Sequence, residues 1–477
     1  MNENKKLPDP INAFSDWYQE VIARAELAEQ APVRGCMVIR PYGFAIWELL
    51  RDELDRRIKS RGVSNACFPL FIPESYLSRE KDHVEGFSPE CAVVTYAGGE
   101  KLQEPLIVRP TSETIIHESM SRWINSYRDL PMRLNQWANV VRWEKRPRLF
   151  LRNTEFFWQE GHTAHATEIE AREEVSEMLD LYHDFVADTL AIPTICGVKS
   201  EREKFAGAVE SSSIEGLMPD GKGLQMGTVH YLGENFSRMA NVKFLDADGI
   251  SRFVSMTSWG VSTRLIGALI MAHGDADGLV LPPKVAPIQV IIIPIGVKKD
   301  PGGVIAEANR IANLLRGLGL RVMIDDREGI TPGAKFYHWE VRGVPLRIEI
   351  GPRDLEAKKV VLTWRVGKKK EFMEIDCLGE IPKLMINFQE MLLERADALL
   401  QKNIISVEDK EDFILRIKAQ DGFIRAMWCG SDICESEIKN ETSATIRNIP
   451  HGETYNNESC VWCGGKGKSV VYFAKAY

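Results

Sequence analysis

The sequence predicts an α/β protein of several parts. An antiparallel region flanked by helices comes first. A smaller α/β region with parallel strands follows, and a small cysteine-bearing region ends the chain. Three observations carry this reading. Between Asn135 and His162, two alternating stretches flank a charged loop that contains a proline. Between Gln289 and Ile350, apolar strands alternate with helical patterns. Near the C-terminus, Cys429, Cys434, Cys460 and Cys463 form two close pairs. The expected boundaries are 1–283, 284–380 and 381–477.

At 477 residues the chain has room for two to four domains. Hydrophobic content of 44% and charged content of 27% match a soluble globular protein. The net charge of −8 argues against indiscriminate nucleic-acid binding, yet a local basic patch would suffice for an RNA partner. No apolar run approaches the ~20 residues of a membrane span. The N-terminal stretch, MNENKKLPDP, lacks the apolar core of a signal peptide. Five of the nine cysteines are scattered, as in a reduced, cytoplasmic protein.

In chain order, Ile11 to Gln30 reads as a helix with Phe14, Trp17, Val21 and Ile22 on one side. Residues 40–62 carry Ile46, Leu49, Leu50, Leu54 and Ile58 at helical spacing, with Gly62 as a stop. Asn65 to Ile72 reads as a strand, confined by Pro69 to an edge or interface. Residues 83–99 read as a turn and a short strand. A strand from Leu106 stops at Pro110, and a helix begins near Ser112. Taken alone, Thr111 reads as the N-cap of that helix.

The hairpin arms follow. Trp137 to Glu144 puts Val140, Arg142 and Glu144 on one face; the return arm puts Phe156, Trp158, Glu160 and His162 on one face. Glu144 to Leu149 forms the loop. Arginine's planar fork matches phosphate, a ring can stack on a purine, and a carboxylate accepts from an amine. The face suits a nucleotide site; it equally suits an ordinary hairpin with a solvated charged face.

Ala166 to Leu190 is a long helix with Val175, Met178, Leu179, Tyr182 and Val186 as its stripe and a solvated acidic face. Lys199 to Gly207 is charged and reads as a mobile loop. Leu224 to Leu232 is a strand with Thr228 and His230 on one face. Ser255 to Met271 is a strand running into a helix, with Gly260, Ser262 and Arg264 at the junction. Small Gly260, Gly267 and Ala268 let that helix lie close to the sheet. Alone, Arg264 reads equally as a surface arginine.

Pro282, Pro283 and Pro287 mark a linker. Strands at Gln289–Pro294, Leu320–Ile324 and Pro345–Ile350 alternate with helices at Ala306–Gly317 and Lys335–Arg342, which implies a mostly parallel sheet. Val360 to Ile375 adds a hairpin, and a helix from Leu384 to Lys402 leads into the last region. There, Cys429-x4-Cys434 and Cys460-x2-Cys463 suit one tetrahedral all-cysteine zinc site. Two disulfides or four free thiols are the alternatives.

The order Arg142-x-Glu144, loop, Arg152-x-x-x-Phe156 resembles motif 2 of the class II aminoacyl-tRNA synthetases. Residues 40–72 resemble motif 1, and Ser255 to Met271 resembles motif 3. More narrowly, RPTSET (109–114) and FWQEGHTAHAT (157–167) are similar to prolyl-tRNA synthetases of the type shared by archaea, eukaryotes and some bacteria, over about Phe14 to Tyr477. The α/β segment from Gln289, including Thr331 to Asp354, resembles the anticodon-binding domain of the prolyl, threonyl, histidyl and glycyl enzymes.

The resemblance implies a class II catalytic domain, an anticodon-binding domain and a C-terminal zinc domain. It implies a proline–tRNA ligase that acts on L-proline, ATP with Mg2+, and tRNA(Pro), as a homodimer built on motif 1. Arg142 would grip the α-phosphate and the proline carboxylate. Arg152 and Arg264 would take the β/γ-phosphates, Glu144 the adenine side, and Phe156 the adenine ring. Asn153, Gln225, Thr228 and Ser262 would complete the ATP site, and use of Gln225 beside Thr228 and His230 implies a bulge at Gly227. Thr111, Glu113, Trp158, Glu160, His162, His230 and Ser258 would line the proline pocket, with Phe87 and Glu90 beside it. Glu340, Arg347 and Arg353 would read anticodon guanines. The Tyr477 carboxylate would tuck towards the active site. The interval Thr163 to Leu224, read as one helix, a short strand near Ile195 and a charged loop around Arg202, leaves no room for an editing domain.

Overall fold

Helix α1 spans Phe14–Arg24, shorter than expected. Glu26 adopts a positive φ of 56°, and the chain turns into a short strand at Ala28–Gln30. Pro41 in the first turn opens α2 (Pro41–Lys59), which buries Ile46, Trp47, Leu50, Leu54 and Ile58. The computed structural model describes residues 6–76, 91–297, 301–453 and 458–477.

The single strand expected over Asn65–Ile72 is split into β1 (Ser64–Asn65) and a separate strand at Phe71–Pro73. Pro69 interrupts it, since proline has no N–H for a ladder. The buried Arg109 fills the gap by donating to the carbonyls of Phe68, at 2.8 Å, and Pro69, at 3.4 Å. Helix α3 (Glu113–Trp123) starts at Ser112 as expected, but Thr111 is not its cap.

A seven-stranded sheet organises the first region. Its members are β1, β2 (Met132–Val141), β3 (Glu155–His165), β4 (Ile195–Val198), β5 (Glu210–Leu217), β6 (Gly223–Gly233) and β7 (Ser255–Ser262). The order is β1-β2-β3-β7-β6-β5-β4, antiparallel except that β1 runs parallel to β2. Helix α4 (Glu168–Leu190) begins with a Thr167–Glu170 capping box and packs across the sheet, where the Tyr182 hydroxyl donates to Gln159. Helix α5 (Arg264–His273) follows β7. Trp17, Tyr18, Leu50, Tyr182, Trp259 and Leu265 share the core beneath.

Strand β5 has no counterpart in the sequence reading; it lies between the charged loop expected over Lys199–Gly207 and the strand expected from Leu224. Met226 is the extra residue of a bulge: Ile214 pairs with Gly227 and Glu215 with Gln225. The expected bulge therefore exists, one residue before Gly227. It resets the alternation, so Gln225 joins Thr228 and His230 on one face.

The second sheet has the order β9-β8-β10-β11-β12, from β8 (Val290–Pro294), β9 (Val322–Ile324), β10 (Leu346–Ile350), β11 (Lys359–Trp364) and β12 (Lys370–Glu374). The first three pair in parallel and the last two antiparallel, so the sheet is mixed rather than mostly parallel. Its helices α6 (Pro301–Gly317) and α7 (Pro332–Val341) begin earlier than the apolar pattern suggests, each at a proline. Helix α8 (Ile381–Lys402) leads to a four-stranded sheet of order β13-β14-β16-β15, from β13 (Ile404–Ser406), β14 (Phe423–Trp428), β15 (Thr445–Asn448) and β16 (Ser469–Ala474). Helix α9 (Asp432–Thr442) carries Cys434. Among the described residues, no helix is long and apolar enough to cross a membrane.

Candidate active site

The sheet's open face holds a cavity of about 290 Å³. Its lining includes Thr111, Glu113, Arg142, Phe156, Trp158, Glu160, His162, Gln225, Thr228, His230, Ser258, Ser262 and Arg264. Thirteen residues that the sequence singled out thus meet at one place, drawn from six segments. The period of two puts Phe156, Trp158, Glu160 and His162 of β3 on the cavity side. The antiparallel neighbour β7 contributes Ser258, paired with His162, and Ser262, paired with Trp158. Gly161 makes this close fit possible, since a Cβ there would lie 2.2 Å from the Trp259 ring.

One end of the cavity is acidic. The Thr111 hydroxyl donates to Glu113, which disposes of its reading as a helix cap. Glu160 accepts from the Ser112 hydroxyl at 2.5 Å, the Ser112 backbone N–H at 3.2 Å and the Gln136 amide at 2.9 Å. Burial pushes the Glu160 carboxyl up, but His162 and these donors outweigh it and hold it below the usual range. His162 Nε2 lies 3.3 Å from Glu160. Burial pulls its pKa down, yet the bond to Glu160 and the charge of Glu113 lift it above the ordinary value. His230 behaves oppositely: burial, then the charges of His162, Lys199 and Arg142, push it down to about 3. Its Nδ1 meets the Ser211 hydroxyl at 2.8 Å.

The other end is basic. Arg142 opens into the cavity, where Nε donates to the Pro110 carbonyl at 2.8 Å and the guanidinium lies 5.0 Å from the Trp158 ring. Strand β2 ends at Val141, so Arg142 and Glu144 are not strand residues as expected. The Arg142 N–H still pairs with the Thr154 carbonyl at 2.8 Å, which keeps the side chain aimed inward. Arg264 donates to the carbonyls of Leu151, at 3.3 Å, and Gln225, at 3.4 Å. Desolvation pulls its pKa to about 10. Within the walls, Trp158 Nε1, Ser258 Oγ and His162 Nδ1 are buried with no hydrogen-bond partner among the described residues. Buried polar atoms of this kind are expected where a ligand supplies the partner.

Three expected residues lie outside the cavity lining. Glu144 lines a separate small cleft with Arg34, Trp143 and Lys145, and its carboxylate accepts from the Arg146 N–H at 2.7 Å. Asn153 is buried and its amide donates to the Gly35 carbonyl at 3.5 Å. Arg152 is exposed beside the loop. Phe87 and Glu90 lie outside the described residues. Sequence reasoning missed Gln136, although the register Gln136–Glu160 across the hairpin would have found it. It also missed Lys199, Glu203 and Phe205, which line the cavity. Far from being a solvated loop residue, Lys199 is buried against Glu215 at 2.7 Å.

Of the three candidate anticodon readers, Glu340 and Arg347 share a small cleft of about 80 Å³, while Arg353 is exposed on the next turn outside it. The four C-terminal cysteines gather as expected, with all Sγ atoms within 4.8 Å of one another. Cys429 and Cys434 lie 3.6 Å apart, and Cys429 and Cys463 3.9 Å. Tetrahedral thiolates at ~2.3 Å from zinc would be about 3.8 Å apart, so the set fits that ion. The Tyr477 ring lies 4.9 Å from the Lys222 ammonium and 5.8 Å from the Arg148 guanidinium, and its N–H donates to the Gly223 carbonyl at 3.4 Å.

Comparison with known proteins accords with this geometry. Residues 96–273 match the tRNA synthetase class II core domain (G, H, P, S and T), 289–381 an anticodon binding domain, and 410–477 the C-terminal region of prolyl-tRNA synthetase. A proline–tRNA ligase of Chloroherpeton thalassium is 51% identical over 482 residues, covering 99% of this chain and all of that protein. The chain belongs to the proline–tRNA ligase family of class II aminoacyl-tRNA synthetases. Another member, from Natranaerobius thermophilus, is 49% identical over 99% of this chain and 98% of its own length. The prolyl-tRNA synthetase of Cryptosporidium parvum, solved with L-proline and AMP, superposes with a TM-score of 0.94 at 41% identity, covering 100% of this chain and 99% of that one.

Proposed function

We propose that this protein activates L-proline with ATP to form prolyl-adenylate and pyrophosphate, then transfers the prolyl group to the 3′ end of tRNA(Pro). The observation that carries this reading is the polarity of the cavity, with carboxylates at one end and, at the other, arginines that have no ion-pair partner among the described residues. A secondary ammonium has two N–H donors; Glu113, Glu160 and Thr111 supply acceptors for it, and His162 lines the same end, bonded to Glu160. Trp158, His230 and Ser258 close that end. Arg142 holds the proline carboxylate against the α-phosphate and Arg264 the β/γ-phosphates, with Phe156 stacked on adenine. Gln225, Thr228 and Ser262 complete the nucleotide end; Arg152 and Glu144 join only if the loop between β2 and β3 closes. Catalysis rests on positioning and charge stabilisation, with no covalent nucleophile. Mg2+ bound with ATP neutralises phosphate charge.

The same reading extends to the rest of the chain. The proposed domains are 1–283 for catalysis, 284–380 for the anticodon and 381–477 for the zinc site. Cys429, Cys434, Cys460 and Cys463 would hold a closed structural zinc. The protein works as a cytoplasmic homodimer. Residues 163–224 hold the end of β3, helix α4, strands β4 and β5 and the start of β6, with the strands all in the one sheet, which supports the reading that the enzyme carries no editing domain in this interval. Discrimination against alanine rests on only ~1–3 kcal/mol of lost apolar contact per methylene, so alanine is activated slowly and its ester is not removed.

ATP–pyrophosphate exchange over a panel of amino acids tests the reading. Proline is expected to support fast exchange and alanine slow exchange, and preloaded alanyl-tRNA(Pro) should lose its ester only at the buffer rate. Exchange with threonine or glycine in place of proline would end the assignment.

A further inference from the structure

The cavity wall from Lys199 to Phe205 lies outside the hairpin and both neighbouring strands, and it is held from behind by the C-terminal region. Lys199 donates to Glu215 Oε1 at 2.7 Å and to the Arg447 carbonyl at 2.8 Å. Arg447, on β15, grips the other oxygen, Oε2, with Nε at 3.0 Å and Nη2 at 2.7 Å. Glu215 is fully buried, and Lys199 and Arg447 are nearly so. Next along the wall, the Ser200 hydroxyl donates to Glu435 Oε1 at 2.6 Å, and Glu203 accepts from Lys439 at 3.1 Å. Both partners are on α9. The backbones lock as well: Val198 and Ile449 exchange N–H···O bonds at 2.9 and 2.7 Å. A Cβ on Gly197 would lie 2.4 Å from the Ile449 carbonyl, so the two segments sit at the closest approach a backbone allows.

We propose that Arg447 and Glu435 are positioning residues for amino-acid binding, acting through Lys199 and Ser200. The inference rests on the proline–tRNA ligase reading. By occupying Oε2, Arg447 confines Lys199 to Oε1 and thus to the cavity wall. Without the Arg447 side chain, Lys199 is the one cation among the described residues still in contact with this buried carboxylate, whose Oε1 also accepts from the Ser213 hydroxyl at 3.0 Å, and it recentres across both oxygens. The wall then withdraws at its far end, where Phe205 packs on the His230 ring at 4.8 Å. His230 belongs to the amino-acid end, so the effect falls on proline rather than on ATP.

The test is steady-state proline-dependent exchange on the full chain, for the wild type, Arg447→Met, Ser200→Ala, Lys199→Met and the Lys199→Met/Arg447→Met double variant, each with a thermal melt. Arg447→Met is expected to raise KM for proline about fivefold to tenfold, the loss of one charge-assisted contact, with kcat and KM for ATP within about twofold. Ser200→Ala should shift the same constant in the same direction by less. The double variant should be no worse than the worse single one, because the two residues act in series. An unchanged KM for proline in Arg447→Met, or additive effects, overturns the proposal. If Arg447→Met does not fold, Ser200→Ala decides on the same readout. A wild type inactive with proline overturns both readings; an active wild type with indifferent variants overturns this one alone.

Discussion

Two clefts in this chain each bring an arginine and a glutamate together, and they differ in how those charges are met. In the small cleft on the second sheet, Arg347 pairs with Glu349 at 3.0 Å and lies 4.0 Å over the Phe336 ring, while Glu340 pairs with Lys368. Each charge has an internal partner. In the larger cavity, neither Arg142 nor Arg264 has an ion-pair partner among the described residues, and each donates hydrogen bonds only to backbone carbonyls, while Glu113 and Glu160 act on Arg142, and Glu215 on Arg264, from beyond ion-pair distance. A buried charge without a counter-charge in contact is costly and is retained where a ligand supplies that contact. A self-neutralised cleft can exchange its partners with an RNA edge, but gains less from doing so.

The largest expected effect follows from that difference. Arg142→Ala should lower kcat/KM for proline-dependent exchange ~10²–10³-fold while the fold survives, since it removes a charge that only the reacting substrates meet. Near-normal exchange would break the comparison.

Histidines in the two regions should respond to pH with opposite sign. His162 has a raised pKa, so its contribution to stability is present below about pH 6.5 and is lost as pH rises through its folded value. His338, beside the second sheet, is pushed down to about 4 by burial and by Arg342, so its contribution is present above about pH 6.5 and is lost as pH falls towards 4. Each slope is at most about 1.4 kcal/mol per pH unit. Melts from pH 5 to 8.5 on His162→Gln and His338→Gln should flatten opposite limbs; flattening of the same limb would show that the two sites are alike.

The smallest effect belongs to the paired cleft. Arg347→Ala and Glu340→Ala should raise KM for tRNA by about threefold to tenfold, within the ~1–3 kcal/mol of a base contact, and leave tRNA-free exchange unchanged. An equal fall in exchange would make these residues structural.

Much of the site was legible because strand alternation is local. Phe156, Trp158, Glu160 and His162 need only a period of two, and the cysteine pairs only their spacing. What stayed hidden depends on distant partners. Lys199 looks solvated until Glu215 and Arg447 are placed beside it, 16 and 248 residues away. Strand β5 begins Glu-Ser-Ser-Ser, with no apolar alternation; its serines are buried by neighbouring strands rather than by their own hydrophobicity. Pro69 points to one strand at an edge or interface, whereas it breaks the strand in two and the gap is filled by Arg109, 40 residues on. The terminal shortfall of β2 at Val141 turns on a loop whose path no periodicity encodes.

The central claim is that one cavity reads both poles of a cyclic amino acid. Competition against proline in ATP–pyrophosphate exchange tests it directly, with cyclopentanecarboxylate, which lacks the amine, and prolinamide, which lacks the carboxylate charge. Each loses a charge-assisted contact, so each should compete at least about tenfold more weakly than proline. If either analogue competes as well as proline itself, the pole it lacks is not read, and the account is contradicted.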